Sequence, residues 1–231
     1  MGAIAIITAR GGSKRIPNKN KKNFLGKPIM CYSIEAALAS ELFEEVMVST
    51  DDEEIAQIAR GAGASVPFMR SEATANDFAT TDDVLTEVLS EYEKRGRTFE
   101  YMACIYPTAP FVTAEKLQNA FRILQEQEAW SVMPVVQFSF PPQRCVVVNE
   151  EGELQMKWPE YAQTRSQDLE PYFHDCGQFY LCRVKQFMEY GTTDLPHMLP
   201  IITSELEVQD IDTMNDWEIA ELKYKKMTGM P

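Results

Sequence analysis

Histidine is scarce in this sequence, with only His174 and His197 in 231 residues. The five cysteines (Cys31, Cys104, Cys145, Cys176 and Cys182) are scattered and odd in number, and no CxxC pair occurs. These scarcities argue against a zinc site and a disulfide framework, and they favour a reducing, cytoplasmic compartment. No apolar run approaches the ~20 residues of a membrane span, and the N-terminus enters its first strand without a secretory signal pattern. Positive charge is also short: 22 Lys and Arg against 35 Asp and Glu give a formal net charge of −13. Nonspecific attachment to nucleic acid or to a membrane surface is therefore disfavoured. Two phosphate-binding motifs are missing. Gly26-Lys27 is followed by Pro28 and position 21 is Lys, so GxxxxGK[ST] fails, and no GxGxxG follows the first apolar run.

What is present is local and ordered. Ala3–Ile7 reads as a buried strand, and the next loop concentrates six basic residues: Arg10, Lys14, Arg15, Lys19, Lys21 and Lys22. An acidic protein with one basic loop points to a small anionic partner. Helical spacing is expected over Pro28–Ser40, with Pro28 at the first helical position. Glu45–Ser49 reads as a strand and is followed by a helix capped by Asp51 or Asp52 and running to about Ala62. Ser65–Phe68 is short and β-like. Further helices are expected at Thr81–Lys94 and Thr113–Gln127, with strands at Tyr101–Tyr106 and Ser131–Val136. This alternation predicts βαβ units and a mainly parallel sheet. Phe140–Pro159 then shows two β-like runs around Asn149-Glu-Glu-Gly152, a hairpin signal that reads as an insertion. Later strands are expected at Gln178–Cys182 and Leu199–Val208. The final helix, Thr213–Lys226, carries a Thr213 or Asp212 cap. The length suits one domain over residues 1–231.

The polar clusters fall just after apolar runs, where the carboxyl ends of parallel strands define a ligand crevice. In the first loop, Gly11 and Gly12 allow a tight turn and close approach to a ligand, and successive N–H groups there suit an anion nest. Ser13 adds a hydroxyl, while Arg10, Lys14 and Arg15 add charge matched to a nucleoside triphosphate. Lys21 and Lys22 read as a solvated charge run. Asp210 and Asp212 lie two apart; on an extended segment both face one side and suit Mg²⁺. His174 reads as a structural hydrogen-bonder, and Met102, Phe121 and Phe187 read as core.

With those residues laid out, the stretch ARGGSKRIPNKN resembles the signature of the CMP-sialic acid synthetase family of cytidylyltransferases. The likeness extends to VSTDDEEIA, the Arg70–Asp77 loop, YPTAP (Tyr106–Pro110) and QDIDT (Gln209–Thr213). Within the family, YPTAPF with TRSQDLEPYFHDCGQFY most resembles the branch acting on pseudaminic acid. The resemblance implies an α/β nucleotidyltransferase (Rossmann-like) fold, a mixed, mainly parallel sheet flanked by helices, with an inserted β-hairpin dimerisation region at about 140–172. It implies a homodimer in which that region reaches over the partner's site. It implies that CTP and a nonulosonic acid give the CMP-sugar and pyrophosphate. Arg10, Gly11, Gly12, Ser13 and Lys14 would hold phosphates, with Arg10, Lys14 and Asp212 as the catalytic set. Lys19 and Asn20 would serve the nucleotide and metal-phosphate site, and Arg70 and Asp77 the cytosine and ribose side. Asp210 and Asp212 would bind Mg²⁺. Tyr106, Thr108, Gln178 and Tyr180 would line the sugar site, with Arg165 for the sugar carboxylate or a phosphate. Relatives using sialic acid tend to carry glutamine where Tyr106 stands, so the aromatic ring favours a less hydroxylated tail. Alternative acceptors are N-acetylneuraminic, legionaminic and 3-deoxy-manno-octulosonic acids. A non-catalytic nucleotide sensor and a nucleic-acid module are the rivals from other classes.

Overall fold

The computed structural model describes residues 2–230. Strands Ala3–Thr8 (β1), Glu45–Ser49 (β2), Tyr101–Ile105 (β3) and Ser131–Gln137 (β4) form from the apolar runs. Ala3, Ala5 and Ile7 pack into one core cluster, and Ile4 and Ile6 into another on the opposite face. Both faces are covered, which is why these strands read as continuous apolar runs rather than as alternation. Helices α1 (Met30–Ala39), α2 (Glu53–Gly61) and α4 (Ala114–Glu126) cover the first face through Ile34, Ile55, Leu117 and Leu124. Helix α3 (Thr81–Lys94) covers the other through Leu85, Val88 and Tyr92.

The later chain adds a hairpin of Val146–Val148 (β5) and Leu154–Met156 (β6), then Phe173–Asp175 (β7) and Phe179–Arg183 (β8). Helix α5 (Val184–Tyr190), strand Met198–Ile202 (β9) and helix α6 (Met214–Thr228) follow. The main sheet has the order β9-β4-β8-β3-β1-β2, with β7 also paired to β4. β8 runs antiparallel to both neighbours, while β1 pairs in parallel with β2 and β3, and β9 with β4. The result is the mixed, mainly parallel sheet flanked by helices that the sequence implies. Among the described residues, no helix is long and apolar enough to cross a membrane.

Three local expectations are corrected. Pro28 does not open α1; it pairs with Asn23 in a two-residue ladder that closes the turn at Leu25 and Gly26, both at positive φ. Ser65–Phe68 forms only a single bridge, Met47 to Ser65. The strand expected over Leu199–Val208 stops at Ile202, and a 3₁₀ turn at Glu205–Glu207 follows.

A third core cluster fixes the C-terminus. Phe24 meets Tyr32 and Trp217 edge to face, each at 5.5 Å between ring centroids. The Tyr32 hydroxyl donates to the Phe24 carbonyl at 2.7 Å, and burial pushes its phenol up to about 12. This aromatic joint seats α6 against the turn at 23–28, and so sets the segment 210–213 beside the basic loop.

Candidate active site

The loops after β1 and β3, with the segment that joins α2 to α3, enclose a cavity of about 470 Å³ at the carboxyl edge of the sheet. It is lined by Arg10, Gly12, Ser13, Lys14, Arg15, Lys19 and Asn20 from the first loop. Arg70, Asn76 and Asp77 close a second side, and Tyr106, Pro107 and Thr108 a third. Its size falls within the ordinary range for small-molecule sites. Thr80 and Thr81, at the N-terminus of α3, also line it. A helix N-terminus adds partial positive charge. The sequence reading missed this wall, although the Thr80–Asp83 capping box that starts α3 is visible as T-x-x-D.

The first loop is held from beneath. Asn20 is buried, and its side-chain amide donates to the Arg10 carbonyl at 2.9 Å. The Gly11 N–H donates to Asp51 Oδ1 at 2.9 Å, and the Ser13 N–H to the Gly11 carbonyl at 3.1 Å. Those two N–H groups are committed within the protein, so the expected nest of successive N–H groups is not formed. Side-chain cations carry the positive field instead. Gly11 and Gly12 do not have positive φ, so neither serves a left-handed turn. A Cβ on Gly11 would sit 3.0 Å from Asp52 Cβ, whereas one on Gly12 would meet nothing within 4 Å.

Each cation of this loop except Lys22 has an acidic partner from a distant segment. Arg10 Nη1 lies 3.0 Å from Asp77 Oδ1, and Lys14 Nζ 2.5 Å from Asp77 Oδ2. The Lys14 hydrogen bond, with help from Arg10, holds the Asp77 carboxyl below its ordinary value. Arg15 Nη1 lies 2.5 Å from Asp212 Oδ2, and Lys19 Nζ 3.9 Å from Asp212 Oδ1. Burial pulls the Lys19 ammonium down, against the pull of Asp212 and Asp210, and the ammonium donates to the Ile211 carbonyl. Lys21, expected to be solvated, is largely covered and bonds Asp52 at 3.0 Å and Glu54 at 2.6 Å. Arg70 is buried; its guanidinium donates to Ser49 Oγ at 3.1 Å and to the Ser49 carbonyl at 2.7 Å. That burial lowers the Arg70 pKa, but a guanidinium remains protonated in proteins.

None of the remaining sequence-derived residues lines this cavity. Asp210 and Asp212 do not lie at a strand end; they sit in the irregular segment before α6, because the 3₁₀ turn at 205–207 intervenes. Asp210 lines a second cavity of about 220 Å³ with Gln137, Phe138, His174, Gln209 and Lys223. His174 stands 4.7 Å from Phe138, ring to ring, and its Nδ1 is 2.9 Å from the Asp175 carbonyl oxygen. Gln178 does not line either cavity: it is 2% exposed and donates to the Glu207 carbonyl at 2.7 Å. Tyr180 lies behind Tyr106, with ring centroids 5.9 Å apart. Arg165 is exposed in the segment between β6 and β7, paired with Asp168 at 2.6 Å and away from both cavities. Among the described residues, no group of three or more His, Cys, Asp or Glu side chains is placed to hold a metal by itself.

Residues 4–190 match the family model described as cytidylyltransferase. The pseudaminic acid cytidylyltransferase of Campylobacter jejuni subsp. jejuni serotype O:2 is 36% identical over 225 residues, covering 97% of each chain. The CMP-N,N'-diacetyllegionaminic acid synthase of Legionella pneumophila subsp. pneumophila is 34% identical over 231 residues, covering 96% of this chain and 95% of that one. Among solved structures, CMP:2-keto-3-deoxy-manno-octonic acid synthetase complexed with CTP matches in fold with a TM-score of 0.69. That match spans 98% of this chain and 100% of the other at 19% identity. On the matched residues and the relatives together, this chain belongs to the cytidylyltransferase family.

Proposed function

We propose that this chain transfers CMP from CTP to the anomeric hydroxyl of a nonulosonic acid, pseudaminic acid, with release of pyrophosphate. The observation that carries the reading is the cavity walled by Arg10, Lys14, Arg15, Lys19 and Arg70 at the carboxyl edge of a cytidylyltransferase-family sheet. The 36% identity to a pseudaminic acid cytidylyltransferase and the aromatic Tyr106 beside the cations favour that acid as acceptor.

The chemistry follows from charge. An anionic sugar must approach an anionic triphosphate, and positioned cations lower that repulsion. Arg10, Ser13 and Lys14 bind the β- and γ-phosphates, and the triphosphate takes the place of Asp77 on Arg10 and Lys14. Lys19 and Asn20 orient the loop and the nucleotide, and buried Arg70 presents a fixed cation on the opposite wall. The anomeric oxygen then attacks the α-phosphorus, the bond from that phosphorus to the bridging oxygen breaks, and pyrophosphate leaves with the negative charge.

Asp210 and Asp212 are the carboxylates that would hold Mg²⁺, a hard cation that takes oxygen ligands and would need others besides these two. Bound there, Mg²⁺ would neutralise charge building on the leaving pyrophosphate.

A homodimer belongs to the same proposal. The inserted region exposes Phe140 (86%), Val148 (67%) and Leu154 (71%), an apolar surface suited to a second copy, which would bring Arg165 towards the partner's acceptor. Residence in the cytoplasm accords with a CTP substrate and with five free cysteines.

The test is pyrophosphate release with CTP and Mg²⁺, run with pseudaminic and N-acetylneuraminic acids in parallel. Release with pseudaminic acid alone is expected. Release only with N-acetylneuraminic acid would overturn the acceptor, and silence with every nonulosonic acid would leave a nucleotide sensor.

A further inference from the structure

Tyr106 is the one aromatic ring among the residues lining the main cavity. Tyr180 backs it from β8, edge to face at 78°. The Tyr180 hydroxyl donates to Asp175 Oδ2, and Asp175 Oδ1 accepts the Gly177 N–H at 2.7 Å. Asp175 is placed by the pairing of β7 with β4, in register with Val135. β8 separates β3, which ends at the nucleotide cavity, from β4, which ends at the second cavity. The Tyr106–Tyr180 pair thus stands where the edge of the sheet passes from one cavity towards the other.

A half-buried carboxylate at this point is costly beside a site for an anionic substrate, unless protein donors satisfy it. Here each oxygen has one. We propose that Asp175 is a positioning residue for acceptor specificity. By accepting the Tyr180 hydrogen bond it holds that ring against Tyr106, so that the Tyr106 ring presents a fixed aromatic face to a deoxygenated, acylamino-bearing tail. A phenol whose proton is committed has none to give a substrate hydroxyl. A polyhydroxylated tail would lose its water contacts against that ring face without replacement. Burial, then the bond to Asp175, raises the Tyr180 pKa and keeps the phenol protonated. The inference rests on the transfer reaction proposed above.

The experiment measures steady-state constants and melting temperatures for wild type, Asp175→Asn, Tyr180→Phe and the double variant, with pseudaminic and N-acetylneuraminic acids. Asp175→Asn is expected to raise KM for pseudaminic acid about tenfold and to narrow the preference between the two acids, leaving KM for CTP within about twofold. Tyr180→Phe should do the same, and the double variant should be no worse than either single change, because the pair acts as one unit. Additive losses, an unchanged acceptor preference in Asp175→Asn, or a parallel loss of CTP binding and melting temperature would overturn the inference. If Asp175→Asn fails to fold, Tyr180→Phe, which keeps the Asp175–Gly177 bond, decides by the same criteria. Wild-type inactivity on every nonulosonic acid, legionaminic and 3-deoxy-manno-octulosonic acids included, would sink the transfer reading itself. Normal wild-type activity beside an indifferent Asp175→Asn would sink only this one.

Discussion

The Asp77 carboxylate bridges two cations of the first loop, with Oδ1 3.0 Å from Arg10 and Oδ2 2.5 Å from Lys14. In the proposed reaction a triphosphate would take those same cations, so Asp77 would compete with nucleotide for them. Asp77→Asn is expected to lower KM for CTP roughly two- to fivefold, the range expected for an exposed ion pair, with no loss of melting temperature. A raised KM would instead give the carboxylate the ribose-side role that the resemblance implies.

Lys14 has no comparable structural duty. Its side chain is 78% exposed, and Asp77 is its ion-pair partner. Lys14→Ala should keep the wild-type melting temperature and cut turnover about a hundredfold, as removal of one charge-stabilising donor does in other enzymes. Unchanged steady-state kinetics would remove the loop from the reaction.

The two adjacent glycines separate a packing role from a ligand role. Alanine at Gly11 would press on Asp52, which caps α2 and holds Lys21. It should cost about 1–3 kcal/mol of stability. Alanine at Gly12 projects into open space at the cavity wall. It should leave stability within about 0.5 kcal/mol of wild type and raise KM for CTP about tenfold by displacing the phosphates. Denaturant midpoints and CTP kinetics on both variants check this, and equal losses of stability would refute the distinction.

Local rules made the elements readable. The Asp52 cap, the α3 span 81–94 and the hairpin around Asn149 and Gly152 each follow from a few neighbouring residues. Long-range pairing was not readable. Nothing near Gln178 announces that β8 will enter the sheet antiparallel between β3 and β4, or that Gln178 will face the interior. The basic loop was visible as charge, but its partners Asp77 and Asp212 lie 63 and 197 residues away from Lys14 and Arg15. Pre-neutralisation of the site is thus a property of the fold. The Tyr180–Asp175 bond is only five residues long in sequence, yet its meaning depends on Tyr106 arriving from β3.

The paired aspartates make a prediction about metal. Asp212 faces Arg15 and Lys19, while Asp210 is exposed. Loss of ligand charge weakens a hard-cation site, so Asp210→Asn and Asp212→Asn should each raise the half-saturating Mg²⁺ concentration about tenfold. Pyrophosphate release titrated with Mg²⁺ at saturating CTP measures this. Midpoints unchanged from wild type in both variants would move the metal elsewhere.

Acid stability reports on the loop that carries Asp77. Glu87 on α3 accepts from the Ser71 N–H and hydroxyl, each at 2.9 Å, and from the Thr74 hydroxyl. Burial alone would raise its carboxyl, but these bonds outweigh it and the folded value lies below the ordinary one. The unfolded chain therefore binds more protons across that interval, and stability rises with pH. The contribution is complete above the unfolded value near ~4.3 and is lost as pH falls through the lower folded value. Glu87→Gln should flatten the rise in melting temperature between pH 3 and pH 5, cost about 1–2 kcal/mol at pH 7, and raise KM for CTP by loosening residues 71–77. An acid slope identical to wild type would assign it to other carboxylates. Asp52, whose pKa is also lowered by Lys21 and the α2 N–H groups despite its burial, would then be the next to replace.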